Sequence, residues 1–274
     1  MDADALRDLA LRALNEDAAG NDVTTLATVP VDARGRARLI AHEPCVVAGL
    51  AVVDACFRML DATLAIEHHV AEGDHVGAGM TVVTVAGMLR PILGAERTAL
   101  NFVQRLSGIA TLGRAFVDAA GGVEVRDTRK TTPGLRALEK EAARAGGVHN
   151  HRVDLAGGIL IKDNHIAAAG GITSAVRAAR AGNRWVEVEC DTLDQVREAC
   201  DAGADEVLLD NMDTATLAEA VAIVNGRARM EASGGVTLET IAVIAKTGVD
   251  AVSVGAITHS ARAIDMSLAV EVAL

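Results

Sequence analysis

Residues Val125 to His165 read VRDTRKTTPGLRALEKEAARAGGVHNHRVDLAGGILIKDNH. An apolar strand ends in the cationic pair Arg129 and Lys130. A helix follows, then a glycine-rich turn into His149, Asn150, His151 and Arg152, and a second apolar strand ends in Lys162 and Asp163. Positive charge stands at the ends of strands, and downstream the chain repeats this beat of strand, loop and helix. Strands are expected near Val123 to Asp127, Gly158 to Ile161, Trp185 to Glu189, Glu206 to Leu209, Ala228 to Glu231 and Ala251 to Val254. Their separation of roughly 20 to 35 residues is the length of a βα unit with its crossover helix. The fold class is therefore α/β: an incomplete parallel βα-barrel of about six βα units, preceded by a smaller α/β domain.

Composition agrees. Half of the 274 residues are apolar, but there are only three Phe, one Trp and no Tyr. A core of Val, Leu, Ile and Ala suits parallel strands covered by Ala-rich helices better than a β-sandwich. The formal net charge of -11 opposes a nucleic-acid backbone or an anionic membrane as partner. Yet Arg97, Arg105, Arg126, Arg129, Lys130, Arg136, Arg144, Arg152 and Lys162 crowd the middle third, which points to a small anionic ligand. Cys45, Cys56, Cys190 and Cys200 show no metal or disulfide spacing, the chain opens without a signal-peptide pattern, and no apolar run approaches the roughly 20 residues of a membrane span. A cytoplasmic protein is expected.

Before the barrel, Asp2 to Leu14 has helical spacing, Arg36 to Ile40 and Pro44 to Leu50 read as strands, and Val52 to Leu60 reads as a helix. Thr63 to Gly87 alternates and is punctuated by glycine, like the half-barrel of biotinyl and lipoyl carriers. A carrier needs a lysine at a hairpin tip, and no lysine precedes Lys130. Leu93 to Ala120 reads as helix interrupted around Ser107 and Gly108. The domains are expected at 1–108 and 109–263, with a last strand in 264–274 returning to the first.

Barrel active sites lie at the C-terminal ends of the strands. Just past the six apolar runs stand Arg129 with Lys130, Lys162, Glu189, Asp210, Ser233 with Gly234, and Gly255. The small residues leave backbone N–H groups open to phosphate oxygens. Glu189 and Asp210 suit ribose hydroxyls or a hydrated Mg²⁺. The lysines suit pyrophosphate, and the planar forks of Arg129 and Arg152 suit carboxylates.

These segments resemble the quinolinate phosphoribosyltransferases (carboxylating nicotinate-nucleotide pyrophosphorylases) over nearly the whole chain. The carrying motifs are DVTT at Asp22 to Thr25, AERTALNFVQRLSGIAT at Ala95 to Thr111, RDTRKTTPGLRALEK at Arg126 to Lys140, NHR at Asn150 to Arg152 and LIKDNH at Leu160 to His165. They continue with EVE at Glu187 to Glu189, LLDN at Leu208 to Asn211, SGG at Ser233 to Gly235 and SVGAITHS at Ser253 to Ser260. Departures are Glu141, where an aromatic is common, and His149, where a small residue is frequent. The resemblance implies transfer of phosphoribosyl from phosphoribosyl pyrophosphate to the ring nitrogen of quinolinate, with loss of CO₂, in NAD biosynthesis. It implies Mg²⁺ carried with the pyrophosphate, no prosthetic group, and a homodimer, with assembly into hexamers left open. By position it implies Arg129, His151, Arg152 and Lys162 on quinolinate, with Arg97 from the partner subunit. It implies Lys130 at the pyrophosphate boundary, Glu189 and Asp210 at ribose and Mg²⁺, and Ser233, Gly234, Gly255 and His259 at the 5′-phosphate. Lys130, Lys162, Glu189 and Asp210 are the candidate catalytic groups. Two other readings stand beside it: a paralogue of the same fold with a different acceptor, such as a molybdenum-transport relative, and a metal-dependent hydrolase built on His149, His151, Lys162 and Asp210.

Overall fold

The structure, a computed structural model, describes residues 1–182 and 184–272. The chain divides into two compact units, one of Met1–Leu112, Ala137–Gly147 and Ala261–Leu274, the other of Gly113–Arg136 and Val148–Ser260.

In the first unit, α1 (Ala3–Glu16) starts where the Asp2 carboxylate accepts the Ala5 N–H at 2.8 Å, satisfying a donor the helix cannot. Then come α2 (Val23–Thr28), β1 (Arg34–Ala41), β2 (Cys45–Val46), α3 (Leu50–Leu60), β3 (Ala65–His68), β4 (His75–Val76), β5 (Thr81–Met88) and α4 (Leu89–Ala120). β1 alternates strictly: Gly35, Ala37, Leu39 and Ala41 are buried while Arg34, Arg36 and Arg38 face water. It lies inside an antiparallel sheet of order β12-β1-β5-β3, where β12 (Met266–Val272) is the last strand of the chain, with Leu39 opposite Leu268 and Val83. Of the strand expected in 264–274, residues 273–274 lie outside the described residues.

Two expectations are corrected here. The strand at Pro44 to Leu50 shrinks to Cys45–Val46, because the chain turns at Gly49 (φ 99°) and the Gly49 and Leu50 N–H groups donate to the Glu72 carboxylate, capping α3. The helix interruption at Ser107 and Gly108 does not occur, and α4 runs unbroken. The small residues serve close approach instead: Ser107 Oγ accepts the Ala48 N–H at 3.0 Å, and a Cβ on Gly108 would lie 1.9 Å from the Arg262 carbonyl oxygen. Ala137–Gly147 packs with the first unit. There the buried Glu139 carboxylate accepts from Arg105 Nη2 at 3.1 Å, and Leu138 and Ala142 line a cavity of about 440 Å³ with Val52 and Leu106.

The second unit carries six parallel strands: β6 (Glu124–Arg126), β7 (Ile159–Ile161), β8 (Val186–Cys190), β9 (Glu206–Asp210), β10 (Arg229–Ser233) and β11 (Ala251–Ser253). Their order is β6-β11-β10-β9-β8-β7, so the first two strands in sequence form the two edges, as an incomplete barrel requires. His149 extends the β6 edge by a single bridge, donating its N–H to Val125 O at 2.8 Å and accepting the Asp127 N–H at 3.0 Å. Helices α5 (Arg136–Ala145), α6 (Asp163–Ala169), α7 (Ile172–Arg180), α8 (Leu193–Ala202), α9 (Thr214–Val224), α10 (Ile241–Ala245) and α11 (Ala256–His259) punctuate the strands, α5 crossing into the first unit after Arg136. α8 shows how sequence sets a boundary: Thr192 and Gln195 cap each other reciprocally at its start, and Gly203 (φ 87°) closes it. No helix among the described residues is long and apolar enough to cross a membrane.

The alternation of the strands decides what the barrel holds. On β8, β9 and β10 the buried apolar residues Val186, Val188, Val207, Leu209, Met230 and Ala232 share one face. The other face carries Glu187 and Glu189, Glu206 and Asp210, Glu231 and Ser233. Register puts Asp210 level with Ser233, and Leu208 level with both Glu231 and Glu189.

Candidate active site

The interior faces form two levels. In the lower one Arg126, 11 % exposed, is held by Glu124 (Nε to Oε1, 2.5 Å), by Glu206 (Nη1 to Oε1, 2.8 Å) and by Glu231. Glu206 and Glu231 are buried, and Ser253 donates its hydroxyl to Glu231. Carboxylates taken this far from water persist only when paired. Burial is the main force raising the Glu231 pKa, helped by the nearby Glu187 charge. Arg126 therefore leaves the group of cations expected to await an anion. So do Arg105, tied to Glu139 and the Ala261 carbonyl, and Arg136, tied to Thr131 and the Val153 carbonyl.

Above this level, at the C-terminal ends of the strands, lies a cavity of about 390 Å³. It is lined by Arg129, Lys130, His151, Arg152, Lys162, Glu189, Asp210 and Ser233, with Asp127, Glu231 and Ser253 beneath them. Eight of the twelve expected site residues thus share one cavity. Gly255 and His259 stand beside it: a Cβ on Gly255 would lie 3.1 Å from Lys130 Cδ and 3.2 Å from His259 Nε2. Thr258 Oγ1 donates to the Lys130 carbonyl at 2.8 Å, which fastens the loop after β6 to α11. Gly234 follows Ser233 with φ 93°, and a Cβ there would meet Asn211 Oδ1 at 2.2 Å, so only glycine fits. Arg97 is exposed on α4 of the first unit, where its charge acts on the neighbouring Glu96 carboxyl.

The cations differ in what already holds them. Lys162 Nζ pairs with Glu189. Arg129 and Arg152 each keep a buried Nε without a hydrogen-bond partner. Arg152 donates from Nη1 to the Gly158 carbonyl at 3.0 Å; its pKa is lowered by burial first and by the Arg129 charge second. Glu187 offsets the Arg152 charge only in part, and two guanidiniums that feel each other's charge call for an anion with more than one acceptor.

Residues beyond the twelve position them. Asp127, fully buried, accepts the His151 N–H at 2.9 Å and Asn150 Nδ2 at 2.6 Å, which anchors the NHR segment. His151 Nε2 lies 2.9 Å from Glu187 Oε2, while its Nδ1 lies 2.8 Å from the Arg152 backbone nitrogen. Burial opposes charge on this ring, but Glu187 and then Glu231 outweigh it and raise its pKa. Sequence reasoning missed Asp127, Glu187 and Glu231. The available signal for Glu187 and Glu231, with Arg126, is their place at alternate positions of apolar strands, where each demands a partner; Asp127 lies just past β6 and carries no such signal. The hydrolase ligand set does not assemble: His149 faces Glu124 at 3.8 Å and is exposed, whereas His151 faces Glu187.

Fold and site together define an enzyme that handles a polyanionic substrate at the strand ends of an incomplete βα-barrel. Family models agree. Residues 22–107 match the quinolinate phosphoribosyl transferase N-terminal domain, and residues 109–269 match the C-terminal domain of the same enzyme. The chain is 43% identical over 278 residues to a carboxylating nicotinate-nucleotide pyrophosphorylase of Mycobacterium leprae, covering 97% of each. It is 42% identical over 284 residues to the chloroplastic carboxylating enzyme of Oryza sativa, covering 96% of this chain and 76% of that one. A solved nicotinate-nucleotide pyrophosphorylase of Francisella tularensis superposes with a TM-score of 0.95 at 39% identity, over 99% of this chain and 98% of the other. The chain belongs to the quinolinate phosphoribosyltransferase family. Its activity is decarboxylating quinolinate phosphoribosyl transfer, the pentosyltransferase reaction that forms nicotinate mononucleotide in NAD biosynthesis.

Proposed function

We propose that Arg129, Arg152 and Lys162, with His151 in the wall, hold quinolinate, and that Lys130 meets the pyrophosphate of phosphoribosyl pyrophosphate. The observation that carries this is the adjacent pair Arg129 and Arg152, each with a buried, unpartnered Nε. Quinolinate offers two carboxylates on neighbouring ring carbons, which matches two forks better than a single carboxylate would. Glu189 and Asp210 face the ribose. The turns at Ser233, Gly234 and Gly255, with His259, take the 5′-phosphate through backbone N–H groups and the imidazole.

The residue types fit the chemistry. As pyrophosphate leaves C1 of the ribose, positive charge grows on the sugar, and the carboxylates of Glu189 and Asp210 stabilise it while Lys130 and Lys162 face the departing charge. The ring nitrogen forms the new bond to C1 and becomes a pyridinium. The C2–carboxylate bond then breaks, its electron pair drawn toward the cationic ring; CO₂ departs and C2 takes a proton. The pyridinium is the electron sink, so this path calls on no prosthetic group. Beyond charge, the protein's contribution is alignment in a partly dehydrated cavity.

Mg²⁺ fits this donor set only as a guest of the substrate. Glu189 is engaged by Lys162, and Asp210 Oδ2 accepts from Asn211 Nδ2 at 2.6 Å, so the two carboxylates offer too few oxygens for a cage. Asp210 and Glu189 would face an ion that keeps its waters and supplies neutralising charge to the pyrophosphate. The working unit is a homodimer in which Arg97 of each chain completes its neighbour's site; Arg97's exposure supports this reading. Arg129→Met tests the central assignment: kcat/KM for quinolinate falls on the order of a hundredfold while KM for phosphoribosyl pyrophosphate holds. An unchanged quinolinate KM would remove Arg129 from the site.

A further inference from the structure

His151 is the one expected substrate ligand whose ring nitrogens both face groups of the protein itself. Nδ1 accepts the backbone N–H of Arg152 at 2.8 Å, and Nε2 points at Glu187 Oε2, 2.9 Å away. An acceptor at Nδ1 requires the ring proton to sit on Nε2, where Glu187 receives it. Were the proton on Nδ1, two donors would face each other and the Arg152 peptide would have to turn. Glu187 is suited to hold this state: it is 4 % exposed, and its other oxygen, Oε1, is buried without a hydrogen bond. Glu231 is farther, at 3.9 Å from Nε2, and is engaged by Arg126 and Ser253. Asp127 fixes the other side of the residue by accepting the His151 N–H.

We propose that Glu187 is a positioning residue for the carboxylate site: it keeps the His151 proton on Nε2, leaving Nδ1 to accept the Arg152 N–H and so to set the direction of the Arg152 guanidinium. The role rests on Arg152 being a quinolinate ligand. Glu187 does not touch substrate; it acts through His151 on the backbone of the residue that does. The same geometry speaks against a metal centre at His151, Glu187 and Glu231, although their ligand atoms lie within 4.8 Å of one another. The nitrogen that faces the carboxylates carries the proton, and Arg126 already engages Glu231.

Nitrogen-15 spectra of the imidazoles read the tautomer directly in the wild-type protein, with His151 assigned by its disappearance in His151→Asn. The expected pattern is a single Nε2-protonated ring, kept in Glu231→Gln and replaced by a mixture of tautomers in Glu187→Ala. In kinetics, Glu187→Ala raises KM for quinolinate about tenfold, the scale of one lost buried hydrogen bond, with KM for phosphoribosyl pyrophosphate unchanged. His151→Asn, whose side-chain oxygen can replace Nδ1 as acceptor, retains about tenfold more quinolinate kcat/KM than His151→Ala. Adding Glu187→Ala to His151→Asn costs nothing further, because the residue it acts through has gone. An Nδ1-protonated ring in the wild type would overturn the proposal, as would equal shifts in both KM values for Glu187→Ala. Should Arg152→Met leave quinolinate KM unchanged, the carboxylate assignment fails along with the positioning role. The wild-type spectrum is independent of that assignment, so it tells the two failures apart.

Discussion

Arg152 and Lys130 carry the same charge in the same cavity, and their geometry keeps them from exchanging tasks. A guanidinium presents a planar fork to a carboxylate, whereas an ammonium is a point charge that follows a pyrophosphate without fixing its plane. Arg152→Lys should therefore lose on the order of a hundredfold in kcat/KM for quinolinate although charge is kept. Steady-state kinetics check this, and a near-normal variant would place Arg152 outside the substrate's reach. At this scale the exposed half of the site was legible: Arg129, Lys130, Lys162, Glu189 and Asp210 each stand at the end of an apolar run, where the side chain meets the cavity. The supporting half was not. Glu187 and Glu231 lie two positions earlier on their strands, and the partner each needs comes from a different strand or loop. Sequence spacing shows alternation along one strand and says nothing of which strand lies beside it.

Strand order supplies that missing neighbour. β9 and β10 pair so that Glu206, Glu231 and Arg126 converge beneath the cavity, a level of charge supporting the level that binds. Replacing one member strands the rest. Arg126→Met should destabilise the protein by about 3 to 5 kcal/mol, since Glu206 and Glu231 lose their shared cation in a buried site. Urea unfolding followed by circular dichroism measures it; a loss below about 1 kcal/mol would mean that water reaches these carboxylates. Elements with strong local patterns, the six barrel strands and α1 among them, were legible before their packing. The failures have tertiary causes. Ser107 and Gly108 look like a helix break, yet they keep α4 continuous, one bonding Ala48 and the other letting the Arg262 backbone approach. A small residue in a helix carries two messages, and only the neighbouring chain decides between them.

For the whole molecule the open matter is how chains combine. If Arg97 completes a partner's site, Arg97→Ala and Lys162→Ala are each nearly inactive alone, yet a hybrid dimer holds one site with both defects and one with neither. Unfolded and reassembled together in equal amounts, about half the dimers are hybrids and activity returns to roughly a quarter of wild type. If Arg97 serves its own chain, mixing restores nothing. Within the chain, Ala137–Gly147 leaves the second unit for the first and returns, a detour that no local pattern announces. The central claim, that this cavity couples phosphoribosyl transfer to loss of the carboxylate beside the ring nitrogen, has a direct measurement. Quinolinate labelled in its C2 carboxylate is incubated with the protein and Mg²⁺, with and without phosphoribosyl pyrophosphate, and released CO₂ is counted. The account predicts labelled CO₂ only when phosphoribosyl pyrophosphate is present, in step with nicotinate mononucleotide and pyrophosphate. Release of CO₂ without phosphoribosyl pyrophosphate, or formation of a nucleotide that keeps the label, would contradict it.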